Sequence, residues 1–114
     1  MTYHNDERGN LGVIDDREIP FKIKRVFWIT NVPANATRGN HAHRDCEQVI
    51  VCLLGSFVAT VDSTSYQMTN DGGHILAATG SYIQLSGFSP NAVCLVLCSE
   101  YYSESDVYQS TIGP

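Results

Sequence analysis

Basic residues are scarce in this sequence: seven Lys and Arg stand against twelve Asp and Glu, for a formal net charge of −5. Non-specific nucleic-acid binding needs a basic surface to meet the phosphate backbone, and this balance excludes it. An anionic ligand would need a local cluster of arginines to hold it against the overall field. Long apolar runs are lacking too. None approaches the roughly 18 residues of a membrane span. Met1–Arg8 is polar and acidic where a secretory leader would be basic and then apolar. Both absences point to a cytoplasmic protein without membrane attachment. No CxxC pair occurs among Cys46, Cys52, Cys94 and Cys98. Cys94 and Cys98 would share a strand face, but four residues at ~3.3 Å each put them ~13 Å apart, beyond disulfide reach. The expectation is a reduced protein with packed thiols and no structural zinc. No stretch of ten residues carries a convincing amphipathic helical period.

What is present is foldable and strand-like. Hydrophobic residues make up 43% and charged residues 17% of 114 positions, enough for one globular domain and too little for two. Ile23–Ile29 is rich in β-formers. Asn31–Asn40 is loop chemistry punctuated by Pro, Asn and Gly. Gln48–Leu54 reads as a buried strand closed by Gly55, and Ser56–Asp62 alternates, with Phe57, Ala59 and Val61 on one face. Gly55 between these two runs suggests a tight turn and a hairpin. Asp71–Gly73 marks another turn, Tyr82–Leu85 a short strand, and Ala92–Ser99 the last strong strand. Many short strands separated by Gly-rich turns indicate an all-β sandwich or barrel. The reading is a single domain over 1–114, with a barrel over 8–102 and a short polar C-terminal arm over 103–114.

The densest polar constellation runs from Arg38 to Gln48. His41 and His43, at i and i+2, project from the same face of an extended segment. An imidazole titrates near pH 6.5, so a neighbouring pair can carry protons or ligate a metal. Each ring also disfavours protonation of the other, keeping one neutral as a base. His-x-His, then Glu47 after three residues and Gly55 after seven more, matches the first half of the cupin barrel signature. A metal held there would take His41, His43 and Glu47. Residues 80–91 contain no histidine to complete the usual cupin ligand set.

A broader resemblance covers roughly residues 8 to 106. Arg8-Gly9-Asn10-Leu11, Ile19-Pro20-Phe21-Lys22-Ile23-Lys24-Arg25-Val26, Arg38-Gly39-Asn40-His41-Ala42-His43, Glu47-Gln48, Gly55-Ser56-Phe57, Gly80-Ser81-Tyr82-Ile83, Phe88-Ser89-Pro90 and Val96–Tyr102 follow one another in order. This resembles the WxcM-like cupins, the dTDP-sugar 3,4-ketoisomerases. Asp106-Val107-Tyr108 stands where that family carries an Asp-Tyr-Ile-Arg arm. The resemblance implies a cupin-type jelly-roll β-barrel acting on dTDP-4-keto-6-deoxyglucose without metal or organic cofactor, in the biosynthesis of 3-amino-3,6-dideoxy sugars. It implies His43 as principal base and acid and His41 as its assistant. Arg8, Arg25, Arg38, Gln48 and Tyr82 would bind substrate, since guanidinium forks suit a diphosphate. It also implies a homodimer exchanging N-terminal strands. Ile83–Phe88 is shorter than the family pattern there, which makes a nucleotide-sugar-binding cupin without turnover the competing expectation. A metal-dependent cupin enzyme is the third.

Overall fold

The computed structural model describes residues 2–71 and 73–108. The strands among them are β1 Thr2–Asp6, β2 Gly9–Val13, β3 Arg25–Thr30, β4 Arg38–His43, β5 Gln48–Leu54, β6 Ser56–Val61, β7 Thr64–Thr69, β8 His74–Ala77, β9 Ile83–Ser86, β10 Val93–Cys98 and β11 Val107–Tyr108. Helical structure among the described residues is limited to single 3-10 turns at Asp16–Glu18 and Glu104–Asp106.

Two antiparallel sheets build the barrel, one ordered β3-β10-β5-β8 and the other β11-β4-β9-β6-β7. Strand alternation decides what lies between them. Ile50 and Cys52 of β5 and Cys94, Val96 and Cys98 of β10 meet Phe57 and Ala59 of β6 and Ile83 and Leu85 of β9 in one buried cluster. Phe57, fully buried, stacks on Phe88 with ring centres 5.1 Å apart. The β6–β7 hairpin turns through Asp62, whose φ of 55° is one that Asp tolerates better than most residues.

Strand β5 is apolar from Val49 to Cys52 because both of its faces are covered. Val49 and Val51 point away from the barrel interior and pack with Leu97 against Ile19, with Ile14, Phe21 and Ile23 around them. The segment 14–23 thus seals the outer face of the four-stranded sheet. It leaves Val26, Leu53, Leu76 and Trp28 exposed around its edges, Trp28 at 67%.

Three expectations are corrected. Gly55 does not close a hairpin: β5 lies in the four-stranded sheet and β6 in the five-stranded one. Its φ of +70° carries the chain from one sheet to the other, and a Cβ there would run into Ser89 Oγ and stand 2.9 Å from Ala92 Cα. Residues 8–13 are not barrel but half of a separate β1–β2 hairpin, which pairs with neither sheet. The barrel does not end at Tyr102. Val107 and Tyr108 pair with His43 and Ala42, so β11 is built into the five-stranded sheet. The rest of the expected arm, 109–114, lies outside the described residues.

Candidate active site

Strand β4 carries the site, and a β-bulge aims it. Gly39 pairs with Gln84 and His41 with Ile83, so Asn40 is the extra residue. Gly39 and Asn40 take positive φ, 82° and 60°. Only glycine fits at 39, where a Cβ would stand 2.9 Å from the Ile83 carbonyl oxygen. Asn40 is held by its side chain, which donates to Thr37 Oγ1 at 3.0 Å and accepts from Gln84 Nε2 at 2.9 Å. The bulge brings Arg38 to the cavity that His41 lines. That cavity, ≈ 80 Å³, lies inside the barrel and is walled by Phe27, Ile29, Ile50 and Leu85, with Gln48 on its polar side.

His41 and His43 share a face, as their spacing implies. Their rings meet edge to face with centres 4.8 Å apart. Burial, and then the neighbouring His43, lowers the pKa of His41 below the ordinary imidazole value. Its Nδ1 is buried without a hydrogen-bond partner in the structure, a polar atom whose partner the protein itself does not supply.

His43 is buried and held from both sides. Its Nδ1 lies 2.9 Å from Asp106 Oδ2, and its Nε2 lies 3.4 Å from Gln48 Nε2. A carboxylate accepts, so Nδ1 carries the proton. The Gln48 amide nitrogen donates, so Nε2 is bare. Both neighbours therefore select the same tautomer, with the basic nitrogen on the side of Gln48 and the cavity. The backbone is fixed as well: the Gly80 N–H donates to the His43 carbonyl at 2.7 Å.

Asp106 is the candidate site residue that the sequence analysis did not single out. Its Oδ1 accepts the Asp45 N–H at 2.6 Å, and its carbonyl accepts the Arg44 N–H at 2.9 Å. Burial alone would raise the pKa of this carboxyl. Hydrogen bonds from the Asp45 backbone, His43 and the Cys46 backbone outweigh it and lower the pKa. Asp106 is therefore a carboxylate at neutral pH. The available signal was its place at the family's Asp-Tyr-Ile-Arg arm.

The other expected residues divide. Arg25, Cys98 and Gln48 are register partners across β3, β10 and β5. That row puts Arg25 at the barrel end where His43 sits, half-buried with its guanidinium 4.9 Å from the Phe27 ring centre and 5.3 Å from that of Tyr102. Arg38 and Gln48 line the cavity. Tyr82 does not line it; it precedes β9, whose Ile83 and Leu85 take that face. Arg8 sits at the turn of the β1–β2 hairpin, bonded to Asp6 at 2.8 Å, and is not brought to the histidines within one chain. The metal set His41, His43 and Glu47 is not assembled. The group of metal-type donors that does converge among the described residues is His43, Cys46 and Asp106.

Fold and site together define a small jelly-roll barrel of the cupin type with a buried histidine–carboxylate pair at one end of its interior. Comparison with known proteins agrees on the fold. The family described as FdtA (WxcM-like, C-terminal) matches residues 1–111, and the chain belongs to it. The TDP-4-oxo-6-deoxy-α-D-glucose 3,4-oxoisomerase of Aneurinibacillus thermoaerophilus is 38% identical over 106 residues, covering 89% of this chain and 76% of the relative. The 3,4-ketoisomerase QdtA of Thermoanaerobacterium thermosaccharolyticum, solved with TDP, superimposes with a TM-score of 0.89 at 32% identity over 96% of this chain and 83% of its own. A 3,4-ketoisomerase from Helicobacter canadensis gives 0.86 at 29% identity over 96% and 86%.

Proposed function

We propose that this protein is a metal-independent 3,4-ketoisomerase of a TDP-linked 4-keto-6-deoxyhexose, acting in the cytoplasm to supply the 3-ketone for amination to 3-amino-3,6-dideoxy sugars. The observation that carries the reading is the buried His43, its Nδ1–H on Asp106 and its bare Nε2 against Gln48, which lines the cavity together with the neighbouring His41. The named activities of the relatives support it.

The chemistry follows from those positions. The C4 carbonyl acidifies the C3–H bond. His43 Nε2 removes that proton, and the electron pair passes to the C4 oxygen, giving an enediolate. Asp106 stabilises the imidazolium that forms. His41, kept neutral by its surroundings, passes the hydroxyl proton from the C3 oxygen to the C4 oxygen. The imidazolium then returns a proton to C4, and the carbonyl now stands at C3. One C–H bond is lost at C3 and one made at C4, with the imidazolium proton exchanging with solvent in between, and one proton passes between oxygens, so no external oxidant or reductant is required. Arg38 and Arg25 flank the site on its two sheets and suit the diphosphate.

The reading includes a homodimer. The β1–β2 hairpin pairs with neither sheet and exposes Leu11 and Val13. An unpartnered hairpin of this kind is marginal alone. Crossing to a second copy would cover it and bring Arg8 to that copy's site.

Incubation with dTDP-4-keto-6-deoxyglucose, followed by proton NMR, tests the activity. The expected result is a 3-keto-6-deoxy product with wild type and none with His43→Asn, while both proteins bind TDP. Saturable TDP binding without product from wild type would leave the non-catalytic cupin instead.

A further inference from the structure

Cys46 has no place in the isomerisation, yet it is buried beside the residues that do. It lies in the short turn between β4 and β5, with His43 behind it and Asp106 across from it. One ring nitrogen of His43, the Cys46 sulfur and one carboxylate oxygen of Asp106 all lie within 4.8 Å of one another, and all three residues are buried. The thiol makes only weak contacts, a hydrogen bond to the Glu47 carbonyl at 3.3 Å and one with the Cys98 thiol.

Imidazole, thiol and carboxylate are the donor set of a zinc ion, and three protein ligands with an open fourth position make a sound zinc site. The turn that carries the thiol is clamped. Its Arg44 N–H bonds the Asp106 carbonyl, and Glu47 and Ser99 are joined by two hydrogen bonds, Glu47 N–H to Ser99 Oγ at 2.8 Å and Ser99 N–H to the Glu47 carbonyl at 3.0 Å. An outer shell is already in place as well, since the second Asp106 oxygen accepts the Asp45 N–H. A surface depression lined by Asp45, Glu100, Tyr102 and Ser105 reaches Asp106. Its Asp45 carboxylate, beside a Glu100 already paired with Lys24 and on a chain of net charge −5, draws cations toward it.

We propose that His43, Cys46 and Asp106 form a binding site for a thiophilic divalent cation such as Zn²⁺, and that its occupation shuts off the isomerase. Capture breaks the Cys46 S–H bond and releases that proton to solvent. The metal takes the lone pair of His43 Nδ1, so the imidazole proton moves to Nε2, the nitrogen that must be bare to act as base. It also takes the Asp106 oxygen that would stabilise the imidazolium. No electron is transferred, and a chelator reverses the change. Inhibition rests on the isomerase reading; binding does not.

The test uses Co²⁺ and Zn²⁺ on the whole protein, with Cys46→Ser and Cys46→Ala in parallel. Wild type should show a near-ultraviolet thiolate-to-cobalt charge-transfer band that zinc displaces, and both variants should lack it. Turnover by the variants should match wild type without metal, and their inhibition by Zn²⁺ should need at least about tenfold more metal. A wild-type protein with no thiolate–cobalt band, or a band that survives in both variants, overturns the site whatever the turnover. A Cys46-dependent band with equal inhibition of wild type and variants overturns the inhibitory half.

Discussion

Replacing Asp106 with asparagine tests the tautomer argument with minimal change of shape. The amide side chain of the Asp106→Asn variant would keep an oxygen to accept the Asp45 N–H, so the clamp on the turn survives. It would lose the charge facing His43 and can offer an N–H₂ to Nδ1. Two costs result. The hydrogen bond to the imidazolium, made at 2.9 Å between buried groups, loses its charge assistance, worth about 1.5–3 kcal/mol, or roughly ten- to 150-fold in rate. An amide donating to Nδ1 also shifts the imidazole proton to Nε2 and abolishes the base. In serine-protease triads the same exchange costs about 10⁴ in kcat. The expected loss is therefore about 10²–10⁴ in kcat with KM little changed, because Asp106 acts through His43 as a positioning residue. Product formation by NMR reads the rate, and the melting temperature checks that the fold is intact. A folded Asp106→Asn protein with kcat within about threefold of wild type would refute the reasoning. Histidine ¹⁵N shifts supply a second readout: wild-type His43 should be the Nδ1–H tautomer, and the variant should move toward Nε2–H.

Gly55→Ala should destabilise the fold by about 2–4 kcal/mol, combining the left-handed backbone penalty with the collision at Ser89; thermal melting should fall by about 10 °C or more. Burial pushes the Cys94 thiol up to about 12. The unfolded chain releases that proton near pH 8.5 while the folded chain does not, so stability is full below about pH 8.5 and is lost progressively as pH rises toward 12. Cys94→Ser should flatten this alkaline decline in a urea titration at several pH values. Arg8→Ala and His43→Asn subunits, each inactive or weak alone, should regain activity when refolded together, because Arg8 serves the other copy's site; a mixture no better than its parts would exclude that crossed role for Arg8.

The parts of this molecule that were legible in its sequence are those governed by local pattern. Period-two alternation identified β6 and its inward face, and the apolar runs located β5 and β10. The i, i+2 spacing put His41 and His43 side by side. Other features depend on where the chain returns in space. Asp106 meets His43 across 63 residues, from a polar stretch whose composition reads as a tail. Gly55 looked like a hairpin glycine because its φ is invisible in the sequence, and so is the crossing of the next strand to the facing sheet, where Phe57 packs on Phe88. Glu47 has the cupin spacing, but Cys46, one residue earlier in the turn, is what converges on His43. Tyr82 lost its place to ordinary alternation, since Ile83 and Leu85 take the inner face.

The central claim is that His43 moves a proton between C3 and C4 of a bound keto sugar. Deuterium entry reads that step directly. Wild-type protein and dTDP-4-keto-6-deoxyglucose in D₂O should give a 3-keto product carrying deuterium at C4 and recovered substrate carrying it at C3, with His43→Asn giving neither. A 3-keto product formed at wild-type rate by His43→Asn, or deuterium entry unaffected by that substitution, would contradict the account.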